Sequence, residues 1–192
     1  MSVRAFLGLF TIFLFLSLGT ARAQQPDSAA VRAAFDSLVA ANTYTATIED
    51  GTLTGPGADW LEARGQAVDH FLMGERHGTV QIPTVAASLY ERLSDDGYGP
   101  VALELGPFAA QEANEALRRG GYPALKRLIT STPSPPIAFL HMSEESRMAA
   151  RMAEAGATMW GVDQEFVFSL PMHLDALADQ AETDRERAAV QR

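Results

Sequence analysis

The sequence has no cysteine and a single lysine, and these two absences narrow its chemistry. Without cysteine there is no disulfide framework, no thiolate metal ligand and no lipid-anchoring thiol. The formal net charge is −9, and no basic patch is present that could neutralise a phosphate backbone. A nucleic-acid partner is therefore not expected, and an acidic, solvated surface is.

Long apolar runs are absent except near the N-terminus. Arg4 precedes an apolar run over residues 5–18, and Ala21-Arg22-Ala23 matches a small-x-small cleavage pattern. The run is shorter than the roughly 20 residues that a membrane-spanning helix needs. These features predict a signal peptide over residues 1–23, a periplasmic or secreted protein and no stable membrane anchor; an uncleaved membrane helix is the alternative.

After the signal peptide, the hydrophobic pattern divides the chain into two parts. Residues 27–41 predict a helix, because their apolar positions recur at helical spacing. Residues 42–57 are rich in turn formers and predict a loop with at most a short extended piece. Together these form an N-terminal helix and loop over residues 24–57, and residues 58–192 predict one α/β domain.

Within residues 58–192, predicted strands and helices alternate. The strands are expected at residues 68–73, 101–105 and 158–162, and the helices at residues 83–93, 108–118, 122–129 and 170–190. This alternation predicts a parallel-sheet core with crossover helices. Three or four strands are few for such a sheet, and its exposed edges need cover. The pattern therefore indicates either a truncated version of a larger α/β domain or a homodimer.

One segment permits two interpretations. Residues 137–155 predict either a single long helix opened by Pro136, or a short strand over residues 137–140 followed by a helix that Ser143 caps. The choice matters for function, because His141 would follow a strand only in the second case.

Ionisable side chains follow each predicted strand. Glu75 and His77 follow the first, Glu104 ends the second, and Asp163 follows the third. Ligands of open parallel sheets bind beyond the carboxyl ends of the strands, so we expect these residues to meet at one edge. Two glycines bracket the first pair. Gly74 is expected to let the chain turn abruptly at the strand end, and Gly78 to let it approach a ligand or enter the next helix.

A histidine on such a tight loop suits a general base or a metal ligand, and neighbouring carboxylates could orient it. The alternative is a polar turn with Arg76 in a surface ion pair. Of the other histidines, His70 is expected to be structural and His173 to pack at the boundary of the core. Glu165 is either an accessory acid or a solvated loop residue. No nucleophile elbow, P-loop or dinucleotide fingerprint occurs.

Three stretches in order carry a family resemblance: FLMGERHGTVQIP, GYGPVALELGPFAAQEANEAL and MWGVDQEF. They resemble the erythromycin esterase-like proteins and the wider superfamily with the ChaN haem-uptake and Tiki/TraB proteins. In that group a strand leads into a G-E-x-(x)-H-G turn, a second strand ends in glutamate and a later one ends in G-x-D. The resemblance covers roughly residues 59–166 and implies an α/β fold with Glu75, His77, Glu104 and Asp163 in the site.

For the esterase branch, the resemblance implies hydrolysis of an ester or related bond in a small molecule, without a cofactor. His77 would be the general base, Glu75 and Glu104 would fix its tautomer, and Asp163 would position water or a substrate hydroxyl. Arg76, or backbone N–H groups near Gly78, would stabilise the oxyanion.

The spacing of the first motif supports a second interpretation. One residue separates Glu75 from His77, which is nearer to the ChaN and Tiki branches. Those branches imply a divalent metal or haem, held by His77, Glu75 and Glu104 without turnover. The sequence leaves the enzyme and the binding protein as alternatives.

Overall fold

The structure is a computed structural model that describes residues 28–132 and 134–190. The predicted signal peptide over residues 1–23 lies outside the described residues. The described residues divide into two compact units, the first ending at Thr43 and the second beginning at Tyr44. In the first unit, helix α1 spans Ser28–Ala41, as the apolar periodicity predicts. None of the described helices combines the length and the apolar character that crossing a membrane requires.

The second unit begins with a β-hairpin. Strands β1 (Thr47–Glu49) and β2 (Thr52–Thr54) pair antiparallel. The turn residues Asp50 and Gly51 both have positive φ, 49° and 80°. Asp-Gly favours such a turn, because its twist matches that of the flanking strands. The turn-rich sequence predicts a loop with at most a short extended piece here, and the pairing of the two strands was not predicted.

Helices α2 (Pro56–Gln66) and α3 (Gln81–Leu93) follow, and α3 begins two residues before the predicted helix. The strand predicted over residues 68–73 is wrong, because this segment has no regular secondary structure. Leu72 within it is 93% exposed. A run with strand propensity becomes a strand only when its backbone finds a partner and its side chains a face to pack on. At the start of this segment, the Tyr98 hydroxyl donates to the Gly65 carbonyl (2.9 Å). The same hydroxyl lies 3.0 Å from the carbonyl oxygen of Val68.

The parallel sheet consists of two strands in the described part of the chain. Strands β3 (Pro100–Leu103) and β4 (Thr158–Gly161) pair in parallel, with Pro100 opposite Thr158. The protein is thus of mixed helix and sheet, as expected, but the larger parallel-sheet core that the alternation predicts is not formed by the described residues. The two backbones approach so closely beyond β3 that a Cβ on Gly161 would overlap the Gly106 carbonyl oxygen.

The connection from β3 to β4 is helical. Helix α4 (Pro107–Ile129) is interrupted at Gly120 and Gly121, where the sequence predicts a break, and continues beyond it as predicted. Helix α5 (Ser143–Glu154) precedes β4. Residues 137–142 form turns, so neither the long helix nor the short strand is formed there. The second interpretation is right only about the place where α5 begins.

Two clusters of buried side chains hold this unit together. The main cluster combines α4, the turn segment 137–140, α5 and Met159 of β4. The second lies between α3 and α5, with Tyr90, Met148 and Met152 among its members. Burial raises the pKa of Tyr90, whose hydroxyl donates to the Gly99 carbonyl (2.8 Å). Because α5 contributes to both clusters, it is the central support of the unit.

A bidentate ion pair fixes α5 to α3. Arg151 donates from Nε and Nη2 to the two carboxylate oxygens of Glu91, at 2.9 and 2.6 Å. Its third nitrogen donates to the Gly51 carbonyl in the hairpin turn (2.9 Å). This planar geometry is one that arginine can make and lysine cannot.

The C-terminal helical segment predicted over residues 170–190 is two helices, α6 (Leu170–Gln180) and α7 (Asp184–Val190). The break is stabilised by a capping box. The backbone N–H of Glu186 donates to Thr183 Oγ1 (3.2 Å), and the Thr183 N–H donates to Glu186 Oε2 (2.9 Å). The hydrogen bonds from Thr183 lower the pKa of Glu186.

Asn114 of α4 pairs with the backbone of β4 on the side away from β3. Its side-chain amide donates to the Met159 carbonyl (2.8 Å) and accepts from the Met159 N–H (3.0 Å). Asn114→Ala leaves both groups without these bonds, and we expect the free energy of unfolding to fall by about 1–3 kcal/mol. Denaturant titration measures the change.

The neighbouring exposed residue Gln111 offers a matched control on the same helix. Gln111→Ala is expected to change the free energy of unfolding by less than about 0.5 kcal/mol. Asn114→Asp keeps the shape and one acceptor but cannot donate to the Met159 carbonyl, so it should lie near Asn114→Ala. Wild-type stability in both Asn114 variants would show that β4 does not depend on this pairing.

Candidate functional site

The site is built on the loop between α2 and α3. Gly78 has a φ of 73°, which favours glycine, and it turns the chain towards α3. The Thr79 hydroxyl donates to the Arg76 carbonyl (3.0 Å) and closes the turn. Gly74 does not have a positive φ, and a Cβ there would meet no atom within 4 Å. The expected role of Gly78 is therefore confirmed, and the abrupt turn expected at Gly74 is wrong.

This loop brings three of the predicted site residues together. His77 Nδ1 lies 3.3 Å from Glu75 Oε1, and His77 Nε2 lies 3.5 Å from Glu104 Oε2. Glu104 comes directly after β3, so the carboxyl end of the strand supplies the second carboxylate. The side chains are 37% (His77), 43% (Glu75) and 51% (Glu104) exposed. The imidazole lies between two carboxylates at an open surface.

The placement of two carboxylates at the two ring nitrogens has a chemical consequence. A neutral imidazole has one N–H and one lone pair, so only one nitrogen can donate. The other nitrogen then faces a carboxylate oxygen as a second acceptor. Two facing acceptors repel each other unless a proton, a water molecule that donates to both atoms, or a cation binds to them. The arrangement therefore suits proton transfer, water activation or metal binding.

The fit to a metal ion can be tested on the distances. One ligand atom from each of Glu75, His77 and Glu104 lies within 4.8 Å of the others. Zinc binds imidazole nitrogen and carboxylate oxygen at about 2.0–2.2 Å, which places neighbouring ligands of a tetrahedral ion roughly 3.3–3.6 Å apart. The 3.3 and 3.5 Å separations start from different ring nitrogens, Nδ1 and Nε2, and one ion can bind only one of these. The three residues therefore fit a divalent cation in donor type, and in spacing only within the wider limit of 4.8 Å.

Phe139 supports the imidazole and was not predicted. Its ring lies parallel to that of His77, with centroids 3.9 Å apart and 3° between the planes. Phe166 in turn packs edge-on against Phe139, with the two ring centroids 5.6 Å apart. Phe139 has a φ of 60°, an uncommon conformation for a bulky residue, and such strain often occurs at functional sites. Its sequence context, IAFL, predicts only a core residue.

Glu145 is a second unpredicted residue beside the loop. It lies in the first turn of α5, is buried, and accepts at Oε1 a hydrogen bond from the Gly78 N–H (3.4 Å). An acid in the first turn of a helix is ordinarily explained by its favourable interaction with the helix dipole. The sequence position of Glu145 therefore did not indicate a role beside the site. The Gly78 N–H already donates to Glu145, so it is not free to stabilise an oxyanion. Arg76 and the other backbone N–H groups near Gly78 stay the candidates.

Asp163 lies at the same edge of the sheet but outside the cluster of Glu75, His77 and Glu104. Its backbone N–H donates to the Leu105 carbonyl (3.0 Å), which continues the pairing of β3 with β4. Its carboxylate accepts from the Gln164 N–H (2.7 Å), a local bond. The structure thus places Asp163 beside the end of β3 and occupies one of its oxygens within its own loop.

Glu165 has a structural partner. Its Oε1 accepts from the N–H groups of Phe108 (2.6 Å) and Ala109 (3.3 Å) at the start of α4. A Cβ on Gly106 would overlap the carboxyl group of Glu165, so this approach requires glycine. Glu165 caps α4 from a distant loop, so the prediction of a solvated loop acid is wrong, and the accessory-acid role stays a prediction.

The remaining histidines lie apart from the cluster. His173 packs on Phe108, with ring centroids 4.3 Å apart, so its predicted boundary packing is confirmed. Its Nε2 lies 3.3 Å from Glu165 Oε2 but is not aligned for a hydrogen bond. His70 and His141 are exposed in irregular segments. The condition that would have made His141 a site residue, a strand over residues 137–140, is not met.

Comparisons of the chain with family models, with curated proteins and with solved structures give no match. The motif resemblance therefore remains a hypothesis. The class of site is defined by its geometry alone: an exposed Glu–His–Glu cluster at the carboxyl end of a short parallel sheet.

Proposed function

We propose that this protein is an exported hydrolase of the erythromycin esterase-like group that cleaves an ester or related bond in a small molecule. The observation that carries the proposal is the position of His77 between Glu75 (3.3 Å) and Glu104 (3.5 Å) at an open surface. Export is supported by the signal-like pattern of residues 1–23. The order of the three sequence motifs supports the group.

In this mechanism, His77 is the general base. Its Nδ1–H donates to Glu75, which fixes the tautomer and leaves the lone pair of Nε2 free. A water molecule between Nε2 and Glu104 Oε2 donates one hydrogen to each acceptor, so its oxygen is free to attack. The two acceptors lie 3.5 Å apart, close enough for one water molecule to contact both.

The chemical steps balance without a cofactor. The water oxygen bonds to the carbonyl carbon as its proton moves to Nε2, and Glu75 stabilises the imidazolium. The tetrahedral intermediate then expels the alcohol, and the ester C–O bond breaks. Nε2 returns the proton to the leaving oxygen. Arg76, which lies between Glu75 and His77 in sequence, or a backbone N–H group near Gly78 is the candidate to stabilise the oxyanion. Asp163 is proposed to bind a substrate hydroxyl.

The charge of the site favours some substrates over others. Two carboxylates border the imidazole, and the sequence is acidic as a whole, with a formal charge of −9. The resulting negative electrostatic potential disfavours the binding of anionic substrates. Neutral or cationic esters are therefore the substrates to test first for hydrolysis.

A metal-binding role is the second candidate, and the spacing of the cluster favours it. One nitrogen and two oxygen donors lie within 4.8 Å of one another. This donor set suits zinc, iron or manganese, and a bound ion would supply a polarised water or carbonyl. The same three residues, Glu75, His77 and Glu104, would hold the ion. Haem, which the resemblance also implies, would be bound at the same loop.

One set of measurements on a single preparation separates these functions. Purified protein is assayed for metal content, for a Soret band and for hydrolysis of neutral esters with and without a chelator. We expect turnover that the chelator does not change. Stoichiometric metal together with loss of turnover on chelation would establish metal-assisted hydrolysis. A Soret band or tightly bound metal without turnover would support the binding role, and a protein with none of these properties would contradict both proposals.

A further inference from the structure

A buried carboxylate lies under the site. Glu145 is 4% exposed, and only one of its oxygens is bonded: Oε1 accepts from the Gly78 N–H (3.4 Å), and Oε2 has no hydrogen-bond partner among the described residues. We propose that Glu145 is a positioning residue that holds the Gly78 turn and thereby orients the imidazole of His77. Its effect on catalysis rests on the proposed function, whereas its effect on the turn does not.

The burial of Glu145 does not contribute to stability. A buried carboxylate oxygen without a partner is unfavourable, and an apolar side chain of similar size would fit better among its neighbours. Met148 and Ala149, which follow on the same helix, are buried and apolar. A group that is unfavourable for folding and adjoins a reactive cluster is a candidate for a functional role.

The helix dipole does not explain the burial either. Glu144, the preceding residue, is also in the first turn of α5 and can interact with the dipole from a more exposed position. It accepts a hydrogen bond from the Ser143 hydroxyl (2.7 Å), which lowers its pKa. What Glu145 has and Glu144 lacks is a contact with the loop of the site.

That contact acts one residue away from the reactive group. Gly78 directly follows His77, and its φ of 73° directs the chain away from the ring. Phe139 stacks on the ring itself at 3.9 Å. The segment from Phe139 to Glu145 therefore restrains both the imidazole and the backbone that carries it. Glu145 is not a member of the Glu75–His77–Glu104 cluster, so it acts through the turn.

The support is itself rigid. Glu145 is on α5, which packs in both core clusters and is fixed to α3 by the pair of Arg151 with Glu91. The hydrogen bond between Glu145 of this helix and the Gly78 N–H can therefore limit the motion of the loop.

Three substitutions test the proposal by changing the acceptor in different ways. Glu145→Gln keeps an oxygen that can accept from Gly78. Glu145→Met keeps a similar size but has no oxygen acceptor. Glu145→Asp keeps the charge but is one methylene too short. Ser146→Ala is the matched control, because Ser146 is equally buried on α5 and its hydroxyl bonds to backbone carbonyls of its own turn, those of Met142 and Ser143.

Two nuclear magnetic resonance signals and thermal unfolding are measured for each variant. We expect the Gly78 amide to exchange about tenfold faster or more in Glu145→Met, and the imidazole resonances of His77 to move, while the unfolding temperature stays equal or rises. Glu145→Gln should retain the wild-type exchange and resonances, as should Ser146→Ala. Glu145→Asp should resemble Glu145→Met, and it decides the matter if the methionine variant does not fold.

The proposal is overturned if Gly78 exchange and the His77 resonances keep their wild-type values in a folded Glu145→Met or Glu145→Asp variant. It is also overturned if Ser146→Ala changes them as much as the Glu145 variants do, because the effect would then be that of a disturbed core. These signals do not depend on turnover, so the absence of any ester hydrolysis would contradict the proposed function and leave this test intact.

Discussion

Replacing His77 with alanine is expected to lower the rate of ester hydrolysis by about 10²–10⁴-fold, the usual contribution of a general base. The reason is geometric. His77 is the one histidine among the described residues that lies in the Glu75–His77–Glu104 cluster, with Nε2 3.5 Å from Glu104. The rate is measured under saturating substrate, and circular dichroism checks the fold. Because the His77 side chain is 37% exposed, folding should not depend on it.

Replacing the carboxylate of Glu104 and replacing that of Glu75 are expected to lower the rate of hydrolysis to different extents. Glu104→Gln can donate to Nε2 and so compete with the attacking water, and it should be nearly as damaging as His77→Ala. Glu75→Gln still accepts from Nδ1 but no longer stabilises the imidazolium, so it should retain more activity. The exposed histidines of the irregular segments provide controls, and His70→Ala and His141→Ala should keep wild-type rates. Full activity in His77→Ala would contradict the mechanism.

Replacing Leu140 with alanine is expected to lower the free energy of unfolding by about 2–5 kcal/mol. Leu140 is 2% exposed and belongs to the main core cluster with Leu125, Ile137 and Met159. Truncation leaves a cavity among these side chains, which the surrounding helices can fill only in part. A decrease of this size is a large fraction of the total stability of a small domain. Denaturant titration gives the change, with the slope showing whether unfolding stays two-state.

The matched control for Leu140 is a leucine of the C-terminal helices. Leu174 of α6 is 37% exposed, and Leu174→Ala should cost less than about 1 kcal/mol. A Leu140→Ala variant as stable as Leu174→Ala would show that the turn segment 137–140 is not part of the core. Since Leu140 follows Phe139, which stacks on His77, we also expect the variant to weaken the site even under conditions where it remains folded.

Several elements follow from local chemistry and could be predicted. The helices over residues 28–41, 81–93 and 107–129 show apolar positions at helical spacing, and the pair Gly120-Gly121 marks the break within the third. These signals are local, because helical hydrogen bonds and faces involve residues three or four apart. The strands β3 and β4 were predicted from short apolar runs between glycines.

The cluster of Glu75, His77 and Glu104 could be predicted for a different reason. The prediction rested on the rule that residues just beyond the carboxyl ends of parallel strands meet at one edge of the sheet. The rule holds for Glu104, which follows β3, but the strand predicted before Glu75 and His77 is not formed, so tertiary packing brings their loop to Glu104. Asp163 follows the same rule, yet it reaches the edge and not the cluster.

The sequence by itself determined which residues form the Glu75–His77–Glu104 cluster and where most helices lie. Only the tertiary structure decided which contacts surround them: the stacking of Phe139 on His77, the burial of Glu145 under Gly78, and, at the start of α4, the capping by Glu165. These contacts join residues that are separated by more than 50 positions in the chain. No local pattern encodes them, because each depends on how α4, α5 and the turn segment 137–140 pack together, and that packing is set by the core as a whole.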